Sequence, residues 1–131
     1  MSLESLVLDS QGLSSWIERD RRLMALLEQA ERDGVDLAMS SATIIEVAHG
    51  GIDHARLGWL LSQIRVEPVT KESARRSAGL LQEAGLLGHK YAIDAMVAEL
   101  ALRLPGPVAV LTSDVDDMTK ICGRRVQVIG L

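Results

Sequence analysis

Apolar positions along this chain keep two rhythms. Unbroken aliphatic runs of strand length occur at Leu6-Val7-Leu8 and at Val108-Ala109-Val110-Leu111, with shorter ones in Asp36-Leu37-Ala38-Met39 and Val126-Gln127-Val128-Ile129. Such a run reads as a strand buried on both faces, as in a parallel sheet covered by helices. Between them the spacing is helical: Leu13, Trp16 and Ile17; then Leu23, Leu26, Leu27 and Ala30 opposite Glu28, Glu31 and Arg32. Further helices are predicted around Thr43 to Ala48, from about Asp53 to Ile64, from Thr70 through Leu81, from His89 to Leu104, and through Met118 and Ile121. Arg65 to Val69 reads as a brief edge strand, since Pro68 has no N–H for a central ladder.

Punctuation supports these bounds. Gly12 is expected to loosen the turn after the first strand, and the charged break Glu18 to Arg22 separates the first two helices. Gly34 closes the second helix, Ser40 or Ser41 caps the third, and Gly50-Gly51 ends it. Thr70, with Ser73 three positions on, starts the fifth helix, and Gly85 and Gly88 break the chain before the sixth. Strands alternating with helices predict an α/β fold: a three-layer sandwich with a mostly parallel central sheet flanked by helices. The length of 131 residues suits one domain, residues 1–131.

Composition narrows the function. With 47% hydrophobic residues, 2% aromatic and no Phe, the core is aliphatic and base-stacking platforms are nearly absent. The single cysteine, Cys122, allows no internal disulfide and fits a reducing cytosol as a packed hydrophobe. No apolar run is long enough to span a bilayer, and the first residues lack the cationic start and apolar core of a signal peptide. A cytoplasmic protein is expected. The net charge of -4 argues against binding nucleic acid by a broad basic surface, but not against a nuclease whose acids surround a metal.

The acids are placed unusually. Asp9 ends the first strand, and Val108 to Leu111 empties through Thr112-Ser113 into Asp114, Asp116 and Asp117. Strand ends of this kind are where open α/β sheets bind ligands. Glu46 lies amid apolar neighbours, and Asp94 interrupts a helix that is apolar on nearly every side. Ordinary roles exist for each: Asp9 as a turn residue, Asp114 as a cap, Asp116 and Asp117 in a first helical turn, Glu46 on a rim. Glu99 has Arg103 at helical spacing, which reads as a surface pair. Asp94 is harder to explain, because a buried carboxylate costs several kcal/mol unless it is paired or metal-bound. Lys90, one turn earlier, is the simple partner. Taken together, acids at two strand ends and on two covering helices would raise one another's pKa unless a cation held them. All-oxygen ligands favour Mg²⁺ or Mn²⁺, and no Cys or His pair has zinc-site spacing. Phosphodiester hydrolysis is the matching chemistry.

These residues resemble the PIN-domain nucleases, and among them the VapC-type toxin ribonucleases of bacterial toxin-antitoxin pairs. The likeness rests on Leu6-Val7-Leu8-Asp9, Glu46, Ile93-Asp94-Ala95 and Leu111-Thr112-Ser113-Asp114-Val115-Asp116-Asp117, and spans essentially the whole chain. It implies a metal-dependent endoribonuclease with Asp9, Glu46, Asp94 and Asp114 around Mg²⁺ or Mn²⁺ and Asp117 as a further acid. Asp9, Asp94 and Asp114 would ligate the metal, with Thr112 and Ser113 orienting them, and Asp116 stays a turn residue. Where the family often has Ser, Thr or Asn after the first Asp, this chain has Gln11, preceded by Ser10. The likeness further implies a homodimer inhibited by a small antitoxin, for which the Leu23-Leu27 and Leu57-Leu61 faces offer surface when they are not simply core. Arg19, Arg21, Arg22, Arg56 and Lys90 are candidate RNA-phosphate contacts. Alternatives are an inactive PIN-fold partner-binding module and a phospho-acceptor receiver, although a receiver needs paired acids where Ser10-Gln11 follow Asp9. A haloacid-dehalogenase-like phosphatase would need Asp-x-Asp after the first strand.

Overall fold

A computed structural model describes residues 3–131. Its strands are β1 (Ser5–Leu8), β2 (Asp36–Ser40), β3 (Arg65–Glu67), β4 (Val108–Thr112) and β5 (Gln127–Gly130). The helices are α1 (Ser10–Ile17), α2 (Arg21–Arg32), α3 (Ala42–Val47), α4 (His54–Gln63), α5 (Lys71–Ala84), α6 (Gly88–Arg103) and α7 (Val115–Cys122). The strands form one sheet in the order β3-β2-β1-β4-β5, and every pairing is parallel. From β1 the chain winds outward through β2 and β3, then returns to β4 on the other side of β1. Strand order therefore reverses between β1 and β4, the kind of point at which open α/β sheets bind ligands outside the carboxyl ends of their strands.

Alternation on the central strands divides the core. Leu6, Leu8, Ala109 and Leu111 face one layer with Leu13, Leu23, Leu27, Leu57 and Leu60. Val7, Val108 and Val110 face the other with Ala95, Val97, Ala98, Ala101 and Met118. The small residues of α6 let its backbone lie close on the sheet. Each fully buried Leu or Val stabilises the fold by roughly 1.5–3 kcal/mol, enough to hold β1 and β4 in register.

Several boundaries differ from the sequence reading. The helix starts directly after Asp9, so Gly12 is a buried residue inside α1 and not a turn. A Cβ there would lie 3.5 Å from Leu8 Cδ2 and 3.8 Å from Leu111 Cδ2, so Gly12 brings α1 close to the sheet. Gly34 and Gly85 do take left-handed conformations, with φ of +73° and +68°. Ser40, not Ser41, supplies the hydroxyl at the start of α3, accepting the Ala42 N–H at 3.2 Å. Thr70 and Ser73 form a reciprocal capping box on α5. Gly88 belongs to α6, which is kinked at Tyr91.

Candidate active site

Asp9 follows β1 directly and is buried at 4% exposure. It caps α1 through a short contact from the Ser10 N–H, while its other carboxylate oxygen accepts the Thr112 hydroxyl at 2.5 Å. Thr112 ends β4, the strand paired with β1 in parallel register. Its hydroxyl oxygen also accepts the Asp114 N–H at 3.0 Å, so one buried side chain fixes both Asp9 and the loop carrying Asp114. Asp114 stands where it could cap α7, yet its side chain makes no capping hydrogen bond. Its carboxylate lies instead beside that of Asp117.

The remaining acids converge on Asp9. Asp94 is pushed up to about 6, first by burial and then by the charges of Asp9, Glu46, Asp114 and Asp117. Glu46 is raised, first by desolvation and then by Asp9, while a hydrogen bond from Ser10 pulls it back down. Asp114 is raised by desolvation, then chiefly by the carboxyl of Asp117 beside it. Burial is the first cause of each shift, and a neighbouring carboxylate adds to it. Asp9, Glu46, Asp114 and Asp117 thus all lie within electrostatic reach of Asp94.

No cation neutralises them. Among the described residues the ion pairs join Arg65 to Glu67, and Arg76 and Arg103 to Glu99; none reaches these acids. Lys90, the simple partner for Asp94, instead holds its ammonium 5.3 Å from the centre of the Tyr91 ring. The donor set is all carboxylate and hydroxyl oxygen, which suits a hard divalent ion. Among the described residues, however, no three His, Cys, Asp or Glu side chains are gathered closely enough to hold an ion as they stand. The acids fit such an ion in chemistry and in charge.

Other expected positions need correction. Glu46 is exposed, and so is its neighbour Ile45 at 78%, so the six-residue α3 does not bury Glu46 in an apolar helix. Glu99 is no surface residue: it is 4% exposed and receives Arg76 Nε at 3.2 Å and Arg103 Nε at 3.0 Å. Asp116 lies exposed in the first turn of α7, the ordinary place read for it from the sequence. Of the candidate RNA contacts, Arg19, Arg21, Arg22 and Lys90 are exposed. Arg56 donates to the Trp16 and Ile17 carbonyls at 2.8 and 3.0 Å, tying α4 to the end of α1. Ser10 was not predicted as a site residue, yet it contacts both Asp9 and Glu46. Its place next to Asp9 was the only signal.

The sequence profile described as PIN domain matches residues 6–123, from β1 to the end of α7, with Asp9, Glu46, Asp94, Asp114 and Asp117 inside it. The chain belongs to the PIN domain family. Among curated protein sequences none matches this PIN domain significantly. Solved structures share its fold. VapBC2 from Rickettsia felis, bound to a DNA fragment from its promoter, superposes with TM-score 0.71 at 13% identity over 97% of this chain and 98% of that one. A toxin-antitoxin complex from Klebsiella pneumoniae gives 0.67 at 22% identity, covering 95% of each chain. FitAcB from Neisseria gonorrhoeae gives 0.66 at 19% identity, covering 95% of this chain and 96% of that one. Among the described residues, no helix of this PIN domain is long and apolar enough to cross a membrane.

Proposed function

We propose that this PIN domain, residues 1–131, is a divalent-metal-dependent endoribonuclease and the VapC-type toxin of a toxin-antitoxin pair. One observation carries the reading: burial first and then neighbouring carboxylates raise Glu46, Asp94 and Asp114, and among the described residues no ion pair reaches these acids. A fold that gathers anions without neutralising them is built for a cation. Asp9, Asp94 and Asp114 would hold Mg²⁺ or Mn²⁺, with Glu46 and Asp117 completing the charge. When bound, such an ion supplies a deprotonated water at neutral pH and offsets negative charge on a phosphate oxygen. Thr112 and Ser10 fix the orientation of Asp9, and Thr112 also fixes the backbone of Asp114. Ser113 lies exposed at the mouth of the same loop. Arg19, Arg21, Arg22 and Lys90 are exposed and would be the cations offered to RNA phosphates.

The partner reading rests on the fold neighbours and on a groove. Two of those neighbours are VapBC2 and a toxin-antitoxin complex. In this chain Trp16, Met24, Leu27 and Trp59 line a groove of about 440 Å³ between α2 and α4, with Trp59 56% exposed. Leu23, Leu27, Leu57 and Leu60 themselves are core residues. An antitoxin segment is the proposed occupant, with a homodimer and a cytoplasmic location completing the reading.

Cleavage of mixed cellular RNA with Mn²⁺ or Mg²⁺, against chelator and beside Asp94→Asn, tests the proposal. Metal-dependent cutting that disappears in the variant supports it. Cutting that survives Asp94→Asn removes Asp94 from the site. Absence of both cutting and Mn²⁺ binding would identify an inactive partner-binding module.

A further inference from the structure

Thr43 lies on α3, three positions before Glu46, and is completely buried. Among the described residues its Oγ1 is the one buried side-chain polar atom without a hydrogen-bond partner. We propose that Thr43 is a positioning residue whose hydroxyl takes up the Glu46 carboxylate when a divalent cation joins the acids. The inference rests on the divalent-ion reading of those acids and adds to it the group that orients Glu46.

Burying a hydroxyl without a partner costs free energy, and nearly all buried polar groups in folded proteins are paired. A threonine in a helix ordinarily gives its hydroxyl to a carbonyl three or four residues back, here that of Ser40 or Met39. Thr43 takes neither. The nearby Ser40 hydroxyl is engaged with the Ala42 N–H at 3.2 Å. Valine would fill the same space at no such cost. Thr43 therefore carries a donor that the packing of α3 does not use.

Its place on the helix points to the donor's partner. Residues three apart on a helix are neighbours, with Cβ atoms about 5–6 Å apart. Helical side chains lean toward the amino end, so Glu46 overlies the turn that carries Thr43. Thr43 and Val47 are the deeply buried positions of α3, and Glu46 borders them from the solvent side. α3 packs against α1, which begins at Ser10, and against α6, which carries Asp94.

Glu46 already accepts a hydrogen bond from Ser10 and feels the charge of Asp9, so its carboxylate reaches toward the start of α1. A carboxylate has about four acceptor positions, and one bond from Ser10 leaves room for a second donor. Drawn toward a cation among the acids, Glu46 leaves solvent for the hydroxyl beneath it. Ser10 and Thr43 then hold it from two helices, much as Ser10 and Thr112 hold Asp9.

A double-mutant cycle on Mn²⁺ affinity, read by calorimetry, tests this, with urea unfolding of each metal-free protein beside it. Thr43→Val should lower Mn²⁺ affinity about tenfold, the low end of the range for a group that orients a ligand. Thr43→Ser, which keeps the hydroxyl, should restore it. In Glu46→Ala protein, Thr43→Val should change the affinity by less than about twofold, because the partner of the hydroxyl is gone. The metal-free urea midpoint of Thr43→Val should stay or rise, since an unpaired donor has been removed. A fall in that midpoint would show a partner already present in the metal-free fold and overturn the inference. Unchanged Mn²⁺ affinity in Thr43→Val, or the same loss with and without Glu46, would overturn it and leave the divalent-ion reading standing. No Mn²⁺ binding by the unaltered protein would overturn both.

Discussion

Thr112 Oγ1 donates to Asp9 Oδ2 across 2.5 Å, joining the carboxyl ends of β4 and β1 between residues 103 positions apart. Both side chains are buried, Thr112 completely. The link is possible because β1 and β4 are adjacent parallel strands with Leu8 opposite Leu111, so their next residues leave the sheet side by side.

Thr112→Val keeps the shape and removes the donor. A buried carboxylate oxygen then loses its partner, at a cost of about 1–3 kcal/mol in urea-unfolding stability. The same change should weaken Mn²⁺ binding about 10–100-fold, the usual effect of losing a group that orients a ligand. Thr112→Ser should restore most of both. Unchanged Mn²⁺ affinity in Thr112→Val would mean that Asp9 is positioned by α1 alone.

Asp94 sets a pH dependence. Its carboxyl has an ordinary value of 3.8 and is pushed up to about 6 in the metal-free fold, by burial first and then by the surrounding acids. Between those values the folded chain keeps a proton that the unfolded chain has lost. The folded state thus binds more protons, and its stability falls as pH rises through this window, with the full penalty above it. Asp94→Asn should therefore stabilise the metal-free protein at neutral pH by about 1–2 kcal/mol, after discounting for partial solvation. The gain should vanish below about pH 4. Urea unfolding of both proteins across this range checks it, and a gain independent of pH would contradict the charge-crowding account.

How far the sequence carried this picture depends on what each signal measures. Asp9 and Asp114 were legible because an apolar run fixes a strand and the residue after the run marks its end; parallel pairing then brings those ends together. Asp94 was legible because its helix is apolar on nearly every side. Depth was not legible where another element decides it. Glu99 shows helical spacing to Arg103 alone, but α5 crosses it and delivers Arg76 from 23 residues away. Glu46 fails in the opposite sense: α3 buries Ala42 and Val47 on one side, and Glu46 shares the solvent side with Ile45. Gly12 reads as a turn signal, whereas the site needs a helix that starts at Ser10 and presses on Leu8 and Leu111.

The Glu99 clamp should matter to the fold more than a surface pair does. Its carboxylate is buried while Arg76 and Arg103 keep side-chain exposures of 53% and 35%. Glu99→Ala is expected to cost about 2–3 kcal/mol, below the roughly 3–5 kcal/mol for breaking a fully buried pair, because the freed arginines can turn to water. Arg76→Ala and Arg103→Ala should each cost less, since the other arginine remains. A loss under about 0.5 kcal/mol in Glu99→Ala would return the cluster to the class of surface pairs.

Cys122 should resist thiol chemistry. It is 1% exposed, and burial pushes its thiol up to about 11 despite the opposing charge of Arg125. Thiolate, the reactive form, is then on the order of 0.1% of the total near pH 8. A thiol reagent at that pH should label the unfolded chain promptly and the folded chain only at the rate of opening. Prompt labelling without denaturant would place α7 in frequent local unfolding.

Arg56 and Arg22 separate two uses of a cation. Arg56 spends Nε and Nη2 on the last carbonyls of α1, the helix that Asp9 caps at its other end. Arg56→Met retains the stem and deletes these bonds, so a stability loss of about 1–3 kcal/mol is expected, since bonds from a charged donor are the stronger kind. It should leave the salt dependence of RNA affinity unchanged, because a guanidinium held on carbonyls releases no counterion from a phosphate. Arg22→Ala should do the reverse: little change in melting temperature, but a slope of log affinity against log salt shallower by about 0.7, the value for one contact to a single strand. Both slopes can be measured with Asp94→Asn as the common background, which keeps the RNA intact. A shallower slope in Arg56→Met would make Arg56 a phosphate contact as well as a helix tie.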